Sequence, residues 1–568
     1  MTSLAEGIMR ALNLAQIGRT PANVKLDEYS SSAVSAVRKI ITRNSMLAAI
    51  WGPPGTGKTT IYLKVFTEEY EKFGGGIVGV YVAPTNVLVT ETFSRQIASL
   101  ISTKYRDTYH FTAKDLYEIL SQVRVYGSRI CIGSKKEIDG LIKSGLIDCG
   151  DMRHDKCAEK IQEALRQVVY DPPTKELRWI FTTEWQDVIQ KLKAATRGVI
   201  SPTLGLRGLE LGLFVDEASR SPIYRPFATI AQLLEARLAG RSSTAPRWLR
   251  ELLESIDFYG LSVVGDDKQA IALHRYYHSR KGLLLLPAIH KVLENLNKCD
   301  KEWKGDSCAM LRLTKRIPEP SHKPISVGFY GNRLSATETA DKRLAVLKDV
   351  AHYIEQEVSK YQGKHKLQKV LDKVAEAIYN ASPIVVVNTK SFEVGDTFEP
   401  QRAILAAWIA KVLAEAIVHV KGDESAAIDI AVSGIYGDLV DSAQFEYLKR
   451  TPGEVRRRIR VRFATVHALL GDEADIHITM LGKEWPGRYW EDFDYMTMYY
   501  REPEIFNVQL SRHRRLLILI GDIITLKRRA KNIVLAEKRP SMELRSLALA
   551  AEEIYNLSKN YSTYVNVA

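Results

Sequence analysis

The stretch Trp51-Gly-Pro-Pro-Gly-Thr-Gly-Lys-Thr-Thr60 follows an apolar run that begins at Met46, and it contains the pattern G-x-x-x-x-G-K-[ST]. Glycines in such a loop let consecutive backbone N–H groups point at phosphates, and the following helix adds its N-terminal dipole. Lys58 would reach the β and γ oxygens, and the Thr59 hydroxyl can ligate magnesium. A Gly-rich turn is the alternative, but the flanking strand and helix favour a nucleotide site. The residues expected to hold the nucleotide are Gly52, Pro53, Pro54, Gly55, Thr56, Gly57, Lys58, Thr59 and Thr60.

An acidic motif lies in Leu211-Gly-Leu-Phe-Val-Asp-Glu-Ala-Ser219, at the end of an apolar strand. Asp216 is expected to hold magnesium through water, beside the ligand Thr59. Glu217 would orient and deprotonate the attacking water. An ordinary strand end with two solvated acids is the alternative. Together the two motifs predict an ATPase that uses ATP and Mg²⁺.

Length and composition bound the architecture. A chain of 568 residues is too long for a single hydrophobic core. At roughly 150 residues per domain, its length predicts three to four units. No apolar run approaches the roughly 18 residues of a membrane span, so we expect no membrane partner. Residues 1–25 have an Ala/Leu-rich helical pattern, which favours a surface helix over a transit peptide.

The chain is basic, with 80 Lys and Arg against 67 Asp and Glu, a net charge of +13. Such an excess attracts polyanions by releasing their counterions, so nucleic acid is the expected partner. In Val455-Arg-Arg-Arg-Ile-Arg-Val-Arg462, strand alternation would put Arg458, Arg460 and Arg462 on one face. Leu526-Lys-Arg-Arg-Ala-Lys531 is a second cluster. Either cluster could instead be a solvated edge.

The five cysteines are few and odd in number, which favours free thiols in a reducing compartment. We therefore expect an intracellular protein, cytoplasmic or, in a eukaryote, nuclear. Cys149-Gly-Asp-Met-Arg-His-Asp-Lys-Cys157 resembles a metal site, but it lacks a paired C-x-x-C and an obvious fourth ligand. Zinc is therefore disfavoured at this cluster.

The order of strands and helices predicts two α/β domains. Residues 26–101 and 196–304 have the pattern of a parallel sheet, interrupted at 102–195 by a mixed, charged segment that we interpret as an inserted accessory subdomain. Strands recur within 305–540, which predicts a second sheet domain, and 541–568 is expected to be a C-terminal helical tail.

A predicted helical pair at 336–380 carries two apolar stripes. We expect these stripes to pack within the second domain, although a partner-binding arm is an alternative. The insertion is the other segment at which a protein partner could bind. The stripe residues are Leu344, Leu347, Ala351, Ile354 and Val358 on the first helix and Leu367, Leu371, Val374 and Ile378 on the second.

The order of motifs resembles that of superfamily 1 helicases, and within them the subfamily B group typified by the RNA-surveillance helicase of nonsense-mediated decay. This resemblance spans residues 26–521 and implies two RecA-like P-loop domains in tandem. It also implies ATP-driven movement along a single strand, from 5′ to 3′. The segments that match motifs I, Ia, II, III, IV, V and VI in turn are the phosphate loop, 83–86, 216–219, 265–269, 311–334, 465–473 and 507–514.

The resemblance also implies roles for single residues. Arg316 in motif IV and Arg512 in motif VI take the positions of two arginine fingers, which would clamp the γ-phosphate and stabilise transition-state charge. Gln269 resembles the motif III glutamine that senses the γ-phosphate. Glu473 resembles the motif V acid that contacts ribose. The expected catalytic set is therefore Glu217, Lys58, Arg316, Arg512 and Gln269.

Four positions depart from the family pattern. Ser30 stands where a glutamine reads adenine, and Lys315 stands where an aromatic ring stacks on the base. Arg220 and Leu470 replace glutamines that are common in motifs II and V. Because the triphosphate contacts are kept, these changes put base selectivity in doubt and leave hydrolysis intact. Other NTPs are therefore possible substrates.

By position in motifs Ia and V, Pro84, Thr85, Asn86, Thr465 and His467 are the candidates for contact with single-stranded DNA or RNA. Neutral hydroxyl, amide and imidazole donors suit phosphate contacts that are blind to sequence.

We therefore expect a magnesium-dependent helicase or translocase on single-stranded nucleic acid. The alternative is an ATP-switched remodeller of nucleoprotein that strips proteins or clamps a strand without unwinding. A catalytically dead scaffold is a third option, and the intact catalytic set argues against it.

Overall fold

The structure is a computed structural model of the whole chain, and it has two α/β parts, as the sequence predicts. Both parts are built on parallel sheets, so the predicted class of two RecA-like domains in tandem is confirmed. The residues that the structure describes are 2–105, 111–127, 129–170, 176–183, 209–219, 256–269, 284–358, 364–391, 399–469, 472–484, 498–536 and 541–568.

The chain divides into two compact units. The first unit consists of Met1–Gly52, Gly57–Asp267 and Ala272–Leu311. The second consists of Pro53–Thr56, Lys268–Ile271 and Arg312–Ala568.

In the first unit, strands and helices alternate along the chain. The strands are β1 (Thr2–Ser3), β2 (Leu47–Trp51), β3 (Ile77–Val82), β4 (Val123–Tyr126), β5 (Ile130–Cys131), β6 (Trp179–Thr182), β7 (Leu209–Val215), β8 (Ile256–Gly265), β9 (Lys304–Gly305) and β10 (Cys308–Met310). The helices are α1 (Leu4–Gln16), α2 (Glu28–Ile41), α3 (Lys58–Glu68), α4 (Asn86–Leu100), α5 (Ala113–Ser121), α6 (Lys135–Lys143), α7 (His154–Tyr170) and α8 (Leu285–Asn295).

Within the described residues, eight strands form one sheet in the order β4-β6-β3-β7-β8-β2-β10-β9. All neighbours are parallel except β9, which runs antiparallel to β10. The central strands β2 and β3 carry no charged residue and are largely buried, as expected for a parallel sheet covered on both faces. Because all the parallel strands end at one edge, the loops after β2, β3 and β7 lie on the same side of the sheet.

Three predictions about the first unit are wrong. The segment 102–195 is not a separate accessory subdomain. It contains β4 and β6, and these two strands extend the main sheet beyond β3. The first domain does not end at residue 304, because β9 and β10 belong to its sheet. Helix α1 is more than a surface helix: Leu4, Ile8 and Leu12 are fully buried in the core of this unit. Of the range 196–304 that was predicted to continue this sheet, residues 196–208, 220–255 and 270–283 lie outside the described residues.

The second unit has its own parallel sheet, in the order β15-β14-β16-β17-β13-β18. The strands of this unit are β11 (Leu313–Thr314), β12 (Ser335–Ala336), β13 (Ile384–Asn388), β14 (Asp429–Gly434), β15 (Arg460–Thr465), β16 (Ala474–Met480), β17 (His513–Ile520) and β18 (Tyr564–Asn566). The helices are α9 (Lys323–Phe329), α10 (Ala340–Leu344), α11 (Lys348–Val358), α12 (His365–Tyr379), α13 (Pro400–Lys421), α14 (Gly437–Arg450), α15 (Gly453–Arg458), α16 (Met498–Arg501), α17 (Glu504–Leu510), α18 (Ile523–Ala536) and α19 (Met542–Asn560).

The predicted helical pair corresponds to α11 and α12, except that its first stripe begins earlier, with Leu344 in α10 and Leu347 in the turn before α11. Its two apolar stripes are buried in the core of the second unit, so they are internal packing faces. The C-terminal segment is not a separate helical tail, because β18 pairs in parallel with β13 and completes the sheet. The strand face predicted for Arg458, Arg460 and Arg462 does not form as a whole. Arg458 ends helix α15, whereas Arg460 and Arg462 lie in β15.

Helix α13 is long and apolar enough to cross a membrane by length and composition alone. In this fold it is a core helix that packs against α11, α14 and the sheet. Its Arg402 is fully buried and forms an ion pair of 2.6 Å with Glu484, which is also fully buried. Arg402 donates further hydrogen bonds to Thr389 Oγ1 and to the backbone oxygen of Leu481. These bonds satisfy the buried charge in a way that lipid could not.

The cysteines do not match the expectation of free thiols. Disulfides join Cys149 to Cys157 and Cys299 to Cys308, and Cys131 takes part in neither bond. The Cys149–Cys157 bond also removes both thiolates from the cluster that resembled a zinc site. Nowhere in the described part of the chain do three or more His, Cys, Asp or Glu side chains group as metal ligands would.

Candidate nucleotide site

The phosphate loop connects β2 to α3 in the way that the sequence predicts. Gly57 precedes α3 with a left-handed backbone, φ +88°, which favours glycine. A Cβ at Gly52 would lie 2.2 Å from Lys58 Cγ, so only glycine leaves room for the lysine stem there. Lys58 Nζ donates to the Gly52 backbone oxygen at 2.9 Å, which places the ammonium over the loop. The loop therefore has the form of a cradle for phosphates.

The acidic motif lies at the end of β7, two strands from β2 in the sheet. Thr59 Oγ1 donates to Asp216 Oδ2 at 2.6 Å, and the Tyr81 hydroxyl donates to the same oxygen at 2.8 Å. Asp216 is only 2% exposed. Burial, followed by the neighbouring Glu217 carboxylate, raises the pKa of Asp216, although the hydrogen bonds from Thr59 and Tyr81 oppose the rise. A divalent cation would relieve this unfavourable charge.

Glu217 differs from Asp216 in its surroundings. Its side chain is 22% exposed, and its Oε1 lies 4.0 Å from Lys58 Nζ. Its backbone is left-handed, with φ +51°, a conformation that non-glycine residues adopt rarely and that is common at functional sites. The Glu217 backbone N–H donates to Asp216 Oδ1 at 2.8 Å. The two acids are thus fixed relative to each other, with one buried and one accessible to water.

These residues fit magnesium and a triphosphate. Magnesium takes one or two protein oxygens together with phosphate oxygens and water. Here the Thr59 hydroxyl donates to the Asp216 carboxylate, so the hydroxyl that would ligate the cation and the acid that would hold it through water lie side by side. Lys58, the loop backbone and the N-terminus of α3 supply the positive charge that phosphates require.

The two candidate arginine fingers and their predicted partners lie in the second unit. The Arg316 guanidinium pairs with the Glu473 carboxylate, which also lies 3.5 Å from Arg514. Arg512 is 3% exposed and donates to Gln269 Oε1 at 2.9 Å. Burial alone would raise the pKa of Glu473, but Arg316 and Arg514 outweigh it and hold that pKa below its usual range. Glu473 is therefore a carboxylate at neutral pH.

A network of ion pairs surrounds Glu473. Arg514 contacts Asp429 at 2.7 Å and Asp475 at 2.9 Å. Arg462 also pairs with Asp429, at 2.7 Å, so this arginine is not available as part of a basic face. The network holds the Glu473 side chain against β17, the strand that carries Arg514.

The residues proposed for strand contact lie in both units. Thr85 is exposed and caps α4 by accepting a hydrogen bond from Leu88 N at 3.2 Å. Pro84 precedes it and is also exposed, and Asn86 begins the helix half-buried. In the second unit, Thr465 ends β15, and His467 follows it half-buried. Each set follows the carboxyl end of a strand, as ligand-binding residues of parallel sheets do.

The positions that depart from the family pattern have ordinary local surroundings. Ser30 lies in the first turn of α2, where both its N–H and its hydroxyl bond to the Asp27 carboxylate, at 2.9 and 2.8 Å. Lys315 is exposed. The other two departures, Arg220 and Leu470, lie outside the described residues.

Two polar residues at the site escaped the sequence argument. Tyr81 contacts Asp216, and Arg95 NH2 donates to Thr60 Oγ1 at 2.7 Å. A polar side chain inside an otherwise apolar strand was the available signal for Tyr81, but the sequence does not say which partner it meets.

Residues 32–210 match the family model described as DEAD/DEAH box helicase, and this match covers the phosphate loop, β3 and α4. The chain is an ATP-dependent helicase. Among solved structures, the helicase domain of Hef from Pyrococcus furiosus is similar over 86% of this chain and 95% of that chain, with 13% identity and a TM-score of 0.27. No curated protein matches the chain.

Proposed function

We propose that this helicase hydrolyses ATP with Mg²⁺ to move from 5′ to 3′ along single-stranded nucleic acid and to separate duplexes, as superfamily 1B enzymes do. The observation that carries the proposal is the constellation of Thr59, Asp216, Glu217 and Lys58. A hydroxyl and a buried carboxylate meet at 2.6 Å, and a more exposed carboxylate lies 4.0 Å from the loop ammonium. The polarity and the subfamily rest on the order of motifs in the sequence.

In the proposed reaction, Lys58 and the loop backbone bind the β- and γ-phosphates. Thr59 and Asp216 are the residues that would hold magnesium, which when bound neutralises phosphate charge. Glu217 orients the attacking water and accepts its proton, a role that suits an acid with partial access to solvent. The buried Asp216 is less suited to that role because its hydrogen bonds from Thr59 and Tyr81 hold it in place.

Arg316 and Arg512 are proposed to stabilise the charge that develops on the γ-phosphate. Gln269 positions Arg512 through its 2.9 Å hydrogen bond, and Glu473 holds Arg316 by an ion pair. A carboxylate has about four lone-pair sites, so Glu473 can accept a ribose hydroxyl while it keeps an arginine. Glu473 would then link occupancy of the ribose site to the position of the finger.

Pro84, Thr85 and Asn86, together with Thr465 and His467, are proposed to contact the backbone of the strand. The hydroxyl and amide donors among them are neutral, which suits a motor that steps along any sequence. The net charge of +13 supplies the general attraction to polyanions.

Strand displacement tests the proposal. Duplexes with a 5′ tail, with a 3′ tail and with blunt ends are offered in DNA and RNA forms, and Glu217→Gln is the control. We expect ATP-dependent unwinding of the 5′-tailed duplex by the wild type alone. Unwinding of the 3′-tailed duplex only would contradict the polarity. Displacement of a bound protein without any unwinding would instead support the nucleoprotein remodeller.

A further inference from the structure

We propose that helix α4 couples strand binding to the nucleotide site through the Tyr81 hydroxyl and the Arg95 guanidinium. The inference rests on the proposed function, because it assumes that residues 84–86 contact the strand. These residues join β3 to α4, and Thr85 caps the helix. A force on the strand contact therefore acts directly on α4.

A directional chain of hydrogen bonds leads from α4 to Asp216. Thr92 Oγ1 donates a hydrogen bond to the Tyr81 hydroxyl at 3.1 Å, and the Tyr81 hydroxyl donates a hydrogen bond to Asp216 Oδ2 at 2.8 Å. Thr92 and Tyr81 are both fully buried, so water cannot replace either bond when one of them breaks. The bond between Tyr81 and Asp216 therefore depends on where α4 holds Thr92.

A second contact leads from the same helix to the phosphate loop. Arg95 lies three residues after Thr92, so both side chains are on one face of α4. Arg95 donates to Thr60 Oγ1 at 2.7 Å, and Thr60 follows Thr59, which bonds to Asp216. One face of the helix thus reaches the metal-binding acid through Tyr81 and contacts the start of α3 directly.

The helix is well suited to transmit a displacement. Its Val89, Phe93 and Ile97 are fully buried, and the helix packs against α1 and α3. Close-packed interiors transmit shifts because they have few voids to absorb them. A small movement of α4 on strand binding would therefore change the hydrogen bonds to Asp216 and Thr60.

Tyr81 and Thr92 are positioning residues in this proposal, since they act through Asp216 and touch no substrate. A purely structural role is the competing explanation, because the Tyr81 ring packs near Phe181 and Tyr62. Tyr81→Phe keeps the ring and removes only the hydroxyl. Thr92→Val likewise keeps the shape of the side chain. Both variants are therefore expected to fold.

Binding measurements without turnover provide one test. The affinity for a fluorescent single strand is measured by anisotropy, with and without a non-hydrolysable ATP analogue and Mg²⁺. Coupling is reciprocal, so the nucleotide should change strand affinity in the wild type. We expect Tyr81→Phe and Thr92→Val to reduce that change by about fivefold, the effect of one net hydrogen bond, and to leave affinity without nucleotide unaltered.

Strand-stimulated ATP hydrolysis is the second readout, with matched controls. Tyr62→Phe removes a buried hydroxyl that bonds to the Val215 backbone oxygen, and Thr90→Val removes a hydroxyl that bonds within α4. Both controls should keep the wild-type stimulation, whereas Tyr81→Phe, Thr92→Val and Arg95→Met should lose most of it. If the three variants respond to the strand as the wild type does, the relay is wrong and the proposed function stands. If the wild type itself does not respond to any strand, the proposed function fails and the relay fails with it.

Discussion

Thr59 and Asp216 are 157 residues apart in the sequence, and their side chains meet in a hydrogen bond of 2.6 Å. The contact joins the helix that follows the phosphate loop to the carboxyl end of β7. It places the two residues that are predicted to hold magnesium side by side. The chemistry proposed for this helicase depends on this arrangement.

Lys58→Ala and Glu217→Gln should both stop hydrolysis, for different reasons. Removing the ammonium leaves the β- and γ-phosphates without their main side-chain partner, so nucleotide affinity and turnover should both fall. Glu217→Gln removes only the base and should bind nucleotide like the wild type, with turnover at least about 10²-fold lower. Fluorescent-nucleotide binding and steady-state phosphate release separate the two effects. Turnover close to that of the wild type in either variant would remove the basis for this site.

Arg316→Ala and Arg512→Ala should each lower kcat by about 10³-fold, as is typical of arginine fingers, with little change in nucleotide affinity. Arg545→Ala removes an exposed arginine of α19 in the same unit and should have no effect. The measurement is single-turnover hydrolysis beside equilibrium binding of nucleotide. A variant that loses affinity for ATP but keeps kcat would show that its arginine binds the ground state and is not a finger.

Gln269→Ala tests how Arg512 is held. Loss of the 2.9 Å hydrogen bond should leave Arg512 less well oriented, so kcat should fall, but by less than in Arg512→Ala. Because the two residues act through one contact, the double variant should be no slower than Arg512→Ala alone. Effects that multiply in the double variant would mean that Gln269 acts on the phosphate independently of Arg512.

Nucleotide choice should be loose. With Ser30 bonded to Asp27 and Lys315 exposed, neither residue has the chemistry of the family's adenine contacts. A bidentate amide contact carries about 1–3 kcal/mol of base discrimination, and about 1.4 kcal/mol is a factor of ten. We therefore expect GTP, CTP and UTP to support kcat/KM within roughly tenfold of ATP. A preference for ATP above about a hundredfold would show that other residues, such as Tyr29, form an adenine pocket.

Strand affinity should depend steeply on salt, and Arg458 and Arg460 should contribute to the slope. The structure places Arg458 at the end of α15 and Arg460 at the start of β15, and both are exposed. Removing one phosphate-binding side chain lowers the slope of log K against log salt by about 0.7 for a single strand. Arg458→Glu combined with Arg460→Glu should therefore flatten it by about 1.4. The control is the double variant Lys301→Glu and Lys304→Glu, which reverses two other exposed charges. If both double variants give the same slope of log K against log salt, Arg458 and Arg460 are an ordinary solvated surface.

Two buried histidines should make the second unit sensitive to acid. Burial lowers the pKa of both His477 and His513 to about 3, whereas an unfolded histidine has a pKa near 6.5. Below about pH 6.5 the unfolded chain binds protons that the folded chain does not, so stability falls as the pH drops toward 3, by about 1.4 kcal/mol per pH unit for each histidine. Thermal unfolding between pH 7.5 and pH 5 measures this loss. His513→Gln should reduce the pH dependence, and His352→Gln, which changes an exposed residue, should not.

The sequence predicted the residues of the phosphate and acid motifs because their spacing follows from the chemistry of phosphate binding. It could not predict that Tyr81 meets Asp216, since that contact depends on the register that pairs Val82 with Val215 across β3 and β7. Segment 102–195 was misinterpreted because β4 and β6 are only four residues long and lie among charged helices, so their pattern is weak. The cysteine pairs were missed because pairing depends on how the backbone folds, and composition carries no information about that.

The central expectation for this protein is that a single strand of nucleic acid stimulates nucleotide hydrolysis at this site. Steady-state ATP hydrolysis by the whole chain, measured with and without single-stranded DNA and RNA of equal length, tests it most directly. We predict that at least one of the two strands stimulates the wild type, that Glu217→Gln stays inactive with either, and that removing Mg²⁺ abolishes the activity. A rate that neither strand changes, or one that Glu217→Gln retains, would contradict the account.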